Sequence, residues 1–147
     1  MGQQQLLLLV LGIVIVGLAV VVGIQAFGEN QKKANADALV NDGVRIASDA
    51  QAWVLKPTAF GGGNGDFDGV GFGDLGYTMG TNGAGASAYG NLNGVFTITP
   101  TAGSPGQVVI TGCSDNNDNL VTITVTDTTP ESISTSVVTS TAACPGV

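Results

Sequence analysis

An uncharged apolar run near the N-terminus constrains this chain more than any other feature. Residues 6–24 read LLLLVLGIVIVGLAVVVGI, and the first charged side chain in the sequence is Glu29. At about 1.5 Å per residue, a helix of this length spans about 30 Å, which matches the hydrocarbon thickness of a bilayer. Because the run is apolar on every helical face, it requires lipid or protein on all sides.

We expect the large apolar side chains of this run to lie in a membrane or in the core of a filament. They are Leu6, Leu7, Leu8, Leu9, Val10, Leu11, Ile13, Val14, Ile15, Val16, Leu18, Val20, Val21, Val22 and Ile24. A cleaved secretory signal would carry basic residues before its apolar core. Residues 1–5, MGQQQ, contain no Lys or Arg, so we expect the run to be retained in the mature chain.

Glycines interrupt the apolar half of the predicted helix at Gly12, Gly17, Gly23 and Gly28. Each lowers helix stability by about 1 kcal/mol relative to alanine. Their spacing does not form a GxxxG stripe, which argues against a simple two-helix dimer. The distribution instead suits the close approach of several neighbouring helices. We also hypothesise that the helix melts locally between Gly12 and Gly23, with Gly17 included.

The helix is predicted to continue as an amphipathic segment over residues 29–56. Apolar side chains recur at the helical spacing of three or four; they are Val40, Val44, Ala47, Ala50 and Val54, widened by Ile46 and Trp53. Opposite charges at the same spacing indicate a solvated face; they are Glu29–Lys33, Lys33–Asp37, Asp42–Arg45 and Arg45–Asp49. Because the residue before a proline resists helical backbone, Pro57 predicts the end of one helix over residues 3–56.

Charge is distributed unevenly along the chain. All four basic residues lie in residues 1–56, whose charges cancel, and the net charge of −7 arises from residues 57–147. A domain of this sign repels phosphates, which excludes nucleic-acid binding. The sequence has no histidine, the commonest general base and neutral metal ligand. Since no nucleophile–base pair is recognisable, we expect neither an enzyme nor a bound cofactor.

The chain after the helix has the composition of a small β domain. Residues 58–94 are glycine-rich and predict a surface loop with brief turns. Short runs of β-branched residues follow at 95–99, 107–111, 120–126 and 132–139, and they predict an antiparallel meander. The predicted fold class is α+β, with a long N-terminal helix packed on a small antiparallel sheet in residues 95–147. A glycine-rich connection, residues 57–94, joins the two.

Both cysteines, Cys113 and Cys144, fall in this β domain. An even pair in a Gly/Ser/Thr-rich domain without lysine favours a disulfide in an oxidising compartment. In the chain-entropy view, a loop of this length contributes about 3–4 kcal/mol to stability. Two unbridged buried thiols are the alternative.

An acidic stretch in the glycine-rich connection resembles the first half of a calcium loop. Oxygen-bearing side chains alternate at Asn64, Asp66 and Asp68, and a glycine follows. The pattern then departs, because the twelfth position is Leu75 and Asp74 comes one place early. An Asp/Gly-rich surface turn explains the same residues and is the favoured interpretation over a structural calcium site.

The order of these segments resembles that of the type IV pilin and pseudopilin superfamily. The resemblance covers the short polar start, the apolar run and the amphipathic continuation, and it extends loosely to the β domain and the late cysteine pair. In most mature members the fifth residue is a glutamate that meets a neighbour's N-terminal amine; here Gln5 can accept a hydrogen bond from that amine. The resemblance implies insertion into the inner membrane, then assembly of identical subunits by a membrane platform and a cytoplasmic motor.

Two functional hypotheses follow from these features. The first is a structural subunit that polymerises through its apolar helix into an extracellular filament, for adhesion or motility. The second is a single-pass anchored protein whose extracytoplasmic β domain binds a ligand or a partner protein. An amphipathic continuation fused to the domain favours the first, because a simple anchor does not need it.

Overall fold

The computed structural model describes residues 2–80, 88–103, 106–114 and 118–139. One helix, α1, spans Gly2–Leu55, and a five-stranded sheet follows it. The strands are β1 (Ala88–Gly90), β2 (Val95–Thr101), β3 (Gln107–Ser114), β4 (Asn119–Val125) and β5 (Ile133–Thr139). Short 3-10 helices lie at Thr58–Phe60 and Pro130–Ser132. The chain divides into two units, Met1–Lys33 and Ala34–Val147.

The predicted α+β architecture is confirmed, and the helix boundaries agree within one residue. Helix α1 ends at Leu55, two residues before Pro57. The chain that follows folds back on the last turn, since the N–H groups of Gly63 and Gly65 donate to the carbonyls of Trp53 and Val54 at 3.1 and 2.8 Å. Terminal carbonyls of a helix otherwise lack partners, so this loop stabilises the helix end.

The sheet is an antiparallel meander in the order β1-β2-β3-β4-β5. Four of its strands coincide with the predicted runs, and β1 is an additional strand within the glycine-rich connection. Its three residues, Ala88–Gly90, are too few to give a recognisable alternation. On β4, the predicted inward residues Val121, Ile123 and Val125 are fully buried, as the period of two requires.

The helix face on the sheet is rotated slightly from the predicted stripe. Its buried residues are Leu39, Gly43, Ile46, Ala47, Ala50, Trp53 and Val54, whereas Val40 and Val44 are only half-buried. A Cβ atom at Gly43 would collide with Ile123 Cδ1 and lie 3.7 Å from Phe96 Cε1. Glycine therefore lets the helix backbone approach the sheet closely at this point.

The glycine-rich connection supplies part of the core, which differs from the predicted surface loop. Phe67, Val70 and Phe72 are buried, at 0–2% exposure. Phe72 also belongs to an aromatic cluster with Tyr77 and Tyr89, whose ring centroids are 4.9–6.0 Å apart. These residues follow neither the period of a strand nor that of a helix, so the hydrophobic pattern does not reveal their burial.

Candidate assembly and membrane segment

The apolar segment, residues 6–24, forms a helical surface that is exposed on every side. Its fifteen large apolar side chains are each 50–68% exposed. The helix is long and apolar enough to cross a membrane. All the residues predicted for the filament core or membrane therefore share one continuous helical surface, and none of them belongs to the buried core.

Burying the apolar side chains of this segment would release a large free energy. Fully burying one Val, Leu or Ile side chain contributes about 1.5–3 kcal/mol, so fifteen of them represent on the order of 20 kcal/mol or more. The net stability of a whole domain is about 5–15 kcal/mol. Leaving this surface in water is therefore unfavourable by an amount comparable with the stability of a whole domain.

Contacts among the described residues do not explain the glycines in the apolar half of the helix. Gly12, Gly17, Gly23 and Gly28 all lie within continuous helix, and a Cβ atom at any of them would meet no atom within 4 Å. Each nevertheless lowers helix stability by about 1 kcal/mol relative to alanine. Local melting at Gly12, Gly17 and Gly23 stays a prediction for the assembled state, as the helix described here is unbroken.

The polar start of the helix is short. Gln3, Gln4 and Gln5 are exposed on the first turns of α1, and Met1 lies outside the described residues. The predicted contact of Gln5 with a neighbour's N-terminal amine involves a second molecule and stays a prediction. At the other end of the apolar segment, Phe27 is 80% exposed and no charge precedes Glu29.

Within the second unit, an amide network joins the helix to the sheet. Asp42 Oδ2 accepts hydrogen bonds from Asn91 Nδ2 at 2.9 Å and from Asn93 Nδ2 at 2.6 Å. Asn35 donates to the Asn93 carbonyl at 2.9 Å and accepts from buried Asn119 at 3.1 Å. The network thus ties α1 to the β1–β2 turn and to the start of β4.

A second polar contact joins the helix to the glycine-rich connection. The Tyr77 hydroxyl donates to Asp49 Oδ2 at 2.5 Å. Burial, reinforced by this hydrogen bond, raises the pKa of Tyr77 to about 12. Sequence spacing had predicted that Asp42 and Asp49 pair with Arg45 on the helix surface. The structure instead shows both carboxylates accepting hydrogen bonds from neutral donors of the domain.

A third contact holds the β4–β5 connection against the helix. Gln51 Nε2 lies 2.8 and 2.9 Å from the carbonyl oxygens of Asp127 and Thr129, and 3.2 Å from Ser132 Oγ. Ser132 Oγ donates within the same turn. Together the three contacts make residues 34–55 an integral part of the domain, so this stretch of the helix is more than a tether.

The residues of the predicted calcium loop make turn hydrogen bonds. Asp66 Oδ1 accepts from the Asp68 N–H, and Asp74 Oδ2 accepts from the Gly71 N–H, both at 3.1 Å. Asn64 adopts a left-handed backbone with φ 52°. Among the described residues, no three Asp, Glu, Cys or His side chains are placed to hold a metal ion. The two hydrogen bonds are those of turns, and both the surface-turn interpretation and calcium binding stay predictions.

Of the two cysteines in the predicted disulfide, the structure describes one. Cys113 lies on β3 and is 5% exposed, opposite Leu120 of β4 and Val95 of β2. Cys144 lies outside the described residues. The pairing of Cys113 with Cys144 stays a prediction.

The exposed apolar segment is thus the feature of the described residues that is long and apolar enough to cross a membrane. The resemblance of this chain to the type IV pilin superfamily rests only on the order of its segments. Comparison of the chain with protein-family models, with curated proteins and with solved structures finds no match.

Proposed function

We propose that this chain is the structural subunit of an extracellular filament, in which the apolar segments of identical subunits pack together. The observation that carries the proposal is the exposure of fifteen large apolar side chains around one helix. A lone subunit outside a membrane cannot shelter that surface, but sister helices can. The acidic domain then forms the outside of the polymer, where its charge keeps the filament soluble.

The glycines support packing by protein rather than by lipid alone. Lipid chains adapt to any side-chain shape, so a span surrounded by lipid gains nothing from glycine at residues 12 and 17. Protein neighbours do gain, because small residues let helix backbones approach closely. Gly12 and Gly17 leave open space on the helix surface that a neighbouring helix can fill.

In this proposal the subunit has two successive locations. It first resides in the membrane, with residues 6–24 across the hydrocarbon core. It is then transferred into a cell-surface filament without the apolar segment meeting water. By resemblance, a membrane platform and a motor perform the transfer.

The second candidate is a single-pass anchored protein whose domain binds a ligand or partner. The length and hydropathy of α1 favour it equally, since the helix suffices to cross a bilayer. The two candidates differ in what surrounds residues 6–24 in the final state: protein in the first and lipid in the second.

One substitution separates the candidates. Gly17→Leu preserves the apolar character of the segment, so insertion into membranes should not change. In a filament, the added side chain overpacks a close helix contact at about 1–3 kcal/mol per subunit, which lowers the assembly constant about fivefold to more than a hundredfold. Val16→Leu is the matched control, because it enlarges an adjacent side chain that is already large.

The measurement is electron microscopy of sheared cell-surface material, with the fibres identified by mass spectrometry. We expect fibres from the parent and from Val16→Leu, and few or none from Gly17→Leu, at equal membrane content of all three. Parent protein that stays dispersed in the membrane and forms no fibres would refute the filament and leave the anchored domain.

A further inference from the structure

The basic residues are placed so that a protease specific for Lys and Arg can cut at one place, Lys32–Lys33, without opening the buried core. The sequence has four such residues, Lys32, Lys33, Arg45 and Lys56, and none after residue 56. Lys33 is exposed and is the last residue of the first unit. The bond after Lys32 lies within the first unit, and the bond after Lys33 joins the first unit to the second.

The helix around Lys33 is weakly held. Residues 25–33 include no buried side chain, and Gly28 lowers local helix stability by about 1 kcal/mol. Most helical stability in proteins comes from tertiary packing, and the buried residues of α1 begin only at Leu39. Local opening, which a protease needs to bind an extended backbone, is therefore easier here than in the packed part of the helix.

The other two basic residues are protected. Arg45 is exposed, but it lies between buried Gly43 and Ile46, so opening the backbone there disrupts the core. Lys56 precedes Pro57, whose ring hinders cleavage of the bond between them. The Lys56 carbonyl also accepts a hydrogen bond from the Asn64 N–H at 3.0 Å.

We propose that residues 25–33 form a proteolytic release site, at which a trypsin-like protease cleaves after Lys32 or Lys33 and frees residues 33–147 or 34–147, respectively, as a folded domain. Hydrolysis adds water across the peptide bond, leaving a carboxylate on the lysine and an amine on the next residue. The buried core of the described residues begins at Leu39, so cleavage removes none of it.

The released fragment has the properties of a soluble protein. It retains ten of the eleven acidic residues and only two or three of the four basic ones, depending on the cut, and it loses the whole apolar segment. All three polar contacts between the helix and the domain, beginning at Asn35, stay within it. Cleavage at the release site would free the same domain from a filament subunit and from an anchored chain. The inference therefore does not depend on which proposed function is correct.

Limited trypsin digestion of the full chain in detergent micelles, followed by mass spectrometry, tests the proposal. We expect one early cut after Lys32 or Lys33 and a resistant fragment ending at residue 147. The double variant Lys32→Gln/Lys33→Gln should be cut at least about tenfold more slowly, because only Arg45 and Lys56 remain for the protease and proteolysis tracks how often the backbone opens at those residues. Arg45→Gln is the control and should be cut like the parent.

Three results of the digestion would overturn the proposal. These are a first cut after Arg45 or Lys56, an unchanged rate in the double variant, and no cleavage of the parent. The released fragment is then separated from detergent and heated while its circular dichroism is followed. A cooperative transition supports release of a folded domain, whereas precipitation or a featureless melt contradicts it.

Discussion

Gly43 of α1 packs directly against Ile123 of β4, and a Cβ atom at residue 43 would collide with Ile123 Cδ1. Ile123 is fully buried, so it has little room to move away. The pair therefore sets how closely the helix approaches the sheet. The burial of neighbouring helix residues such as Ile46 and Ala47, which belong to the same core, depends on that distance.

Gly43→Ala should destabilise the domain although alanine is the better helix former. Overpacking a core contact lowers the free energy of unfolding by about 1–3 kcal/mol, and the gain in helix propensity offsets about 1 kcal/mol of it. Urea unfolding of the full chain in micelles measures the difference. The control is Asn41→Ala, an exposed position on the same helix, which should stay within about 0.5 kcal/mol of the parent. Equal stability of Gly43→Ala and Asn41→Ala would show that the contact is not tight.

Trp53→Phe should be tolerated far better than Trp53→Ala. The Trp53 indole is 9% exposed, and its Nε1 is buried without a hydrogen-bond partner among the described residues. Replacing it with phenylalanine removes an unsatisfied donor, which offsets part of the lost packing. Truncation to alanine leaves a cavity at about 3–5 kcal/mol. We expect thermal unfolding, followed by circular dichroism, to place the stability of Trp53→Phe within about 1 kcal/mol of the parent. Similar losses of stability in both variants would contradict the interpretation of Trp53 Nε1 as an unsatisfied donor.

Regular periods in the sequence were enough to predict the helix and four strands. The apolar run, the spacing of the amphipathic stripe and the alternation at Val121, Ile123 and Val125 each depend on residues close together in the chain. Pro57 marked the helix end for the same local reason. The candidate segment, residues 6–24, was predictable in full, because its apolar character does not depend on the fold.

Features that depend on distant residues were not predictable. Phe67, Val70 and Phe72 carry no period, so they become core residues only because α1 and the sheet leave a space for them. Asp42 lies three residues from Arg45, which predicts a surface pair. Its actual partners, Asn91 and Asn93, lie in a turn about 50 residues away, where asparagine indicates a turn rather than a tertiary contact.

Asp42→Ala should destabilise the domain by leaving two side-chain amides without their acceptor. Hydrogen bonds to a charged group contribute about 1.5–3 kcal/mol, so we expect a loss of about 2 kcal/mol in the free energy of unfolding. Asp37→Ala provides the matched control, since Asp37 is exposed on the same helix. Chemical denaturation of both variants measures the difference. An Asp42→Ala loss no larger than that of Asp37→Ala would mean that solvent replaces the amide network.

Tyr77 should make the domain lose stability at alkaline pH. Its pKa is raised from 10.0 to about 12, mainly by burial and then by the hydrogen bond to Asp49, so the folded chain holds the phenolic proton more tightly than the unfolded chain does. The resulting stabilisation is fully present below pH 10 and is lost as the pH rises towards about 12. Phenolate absorbance should show one late-titrating tyrosine that Tyr77→Phe removes, and Tyr77→Phe should lose less stability between pH 10 and 12 than the parent. Asp49→Asn should lower the late pKa only in part, because burial remains; identical alkaline unfolding of the parent and Tyr77→Phe would refute the coupling.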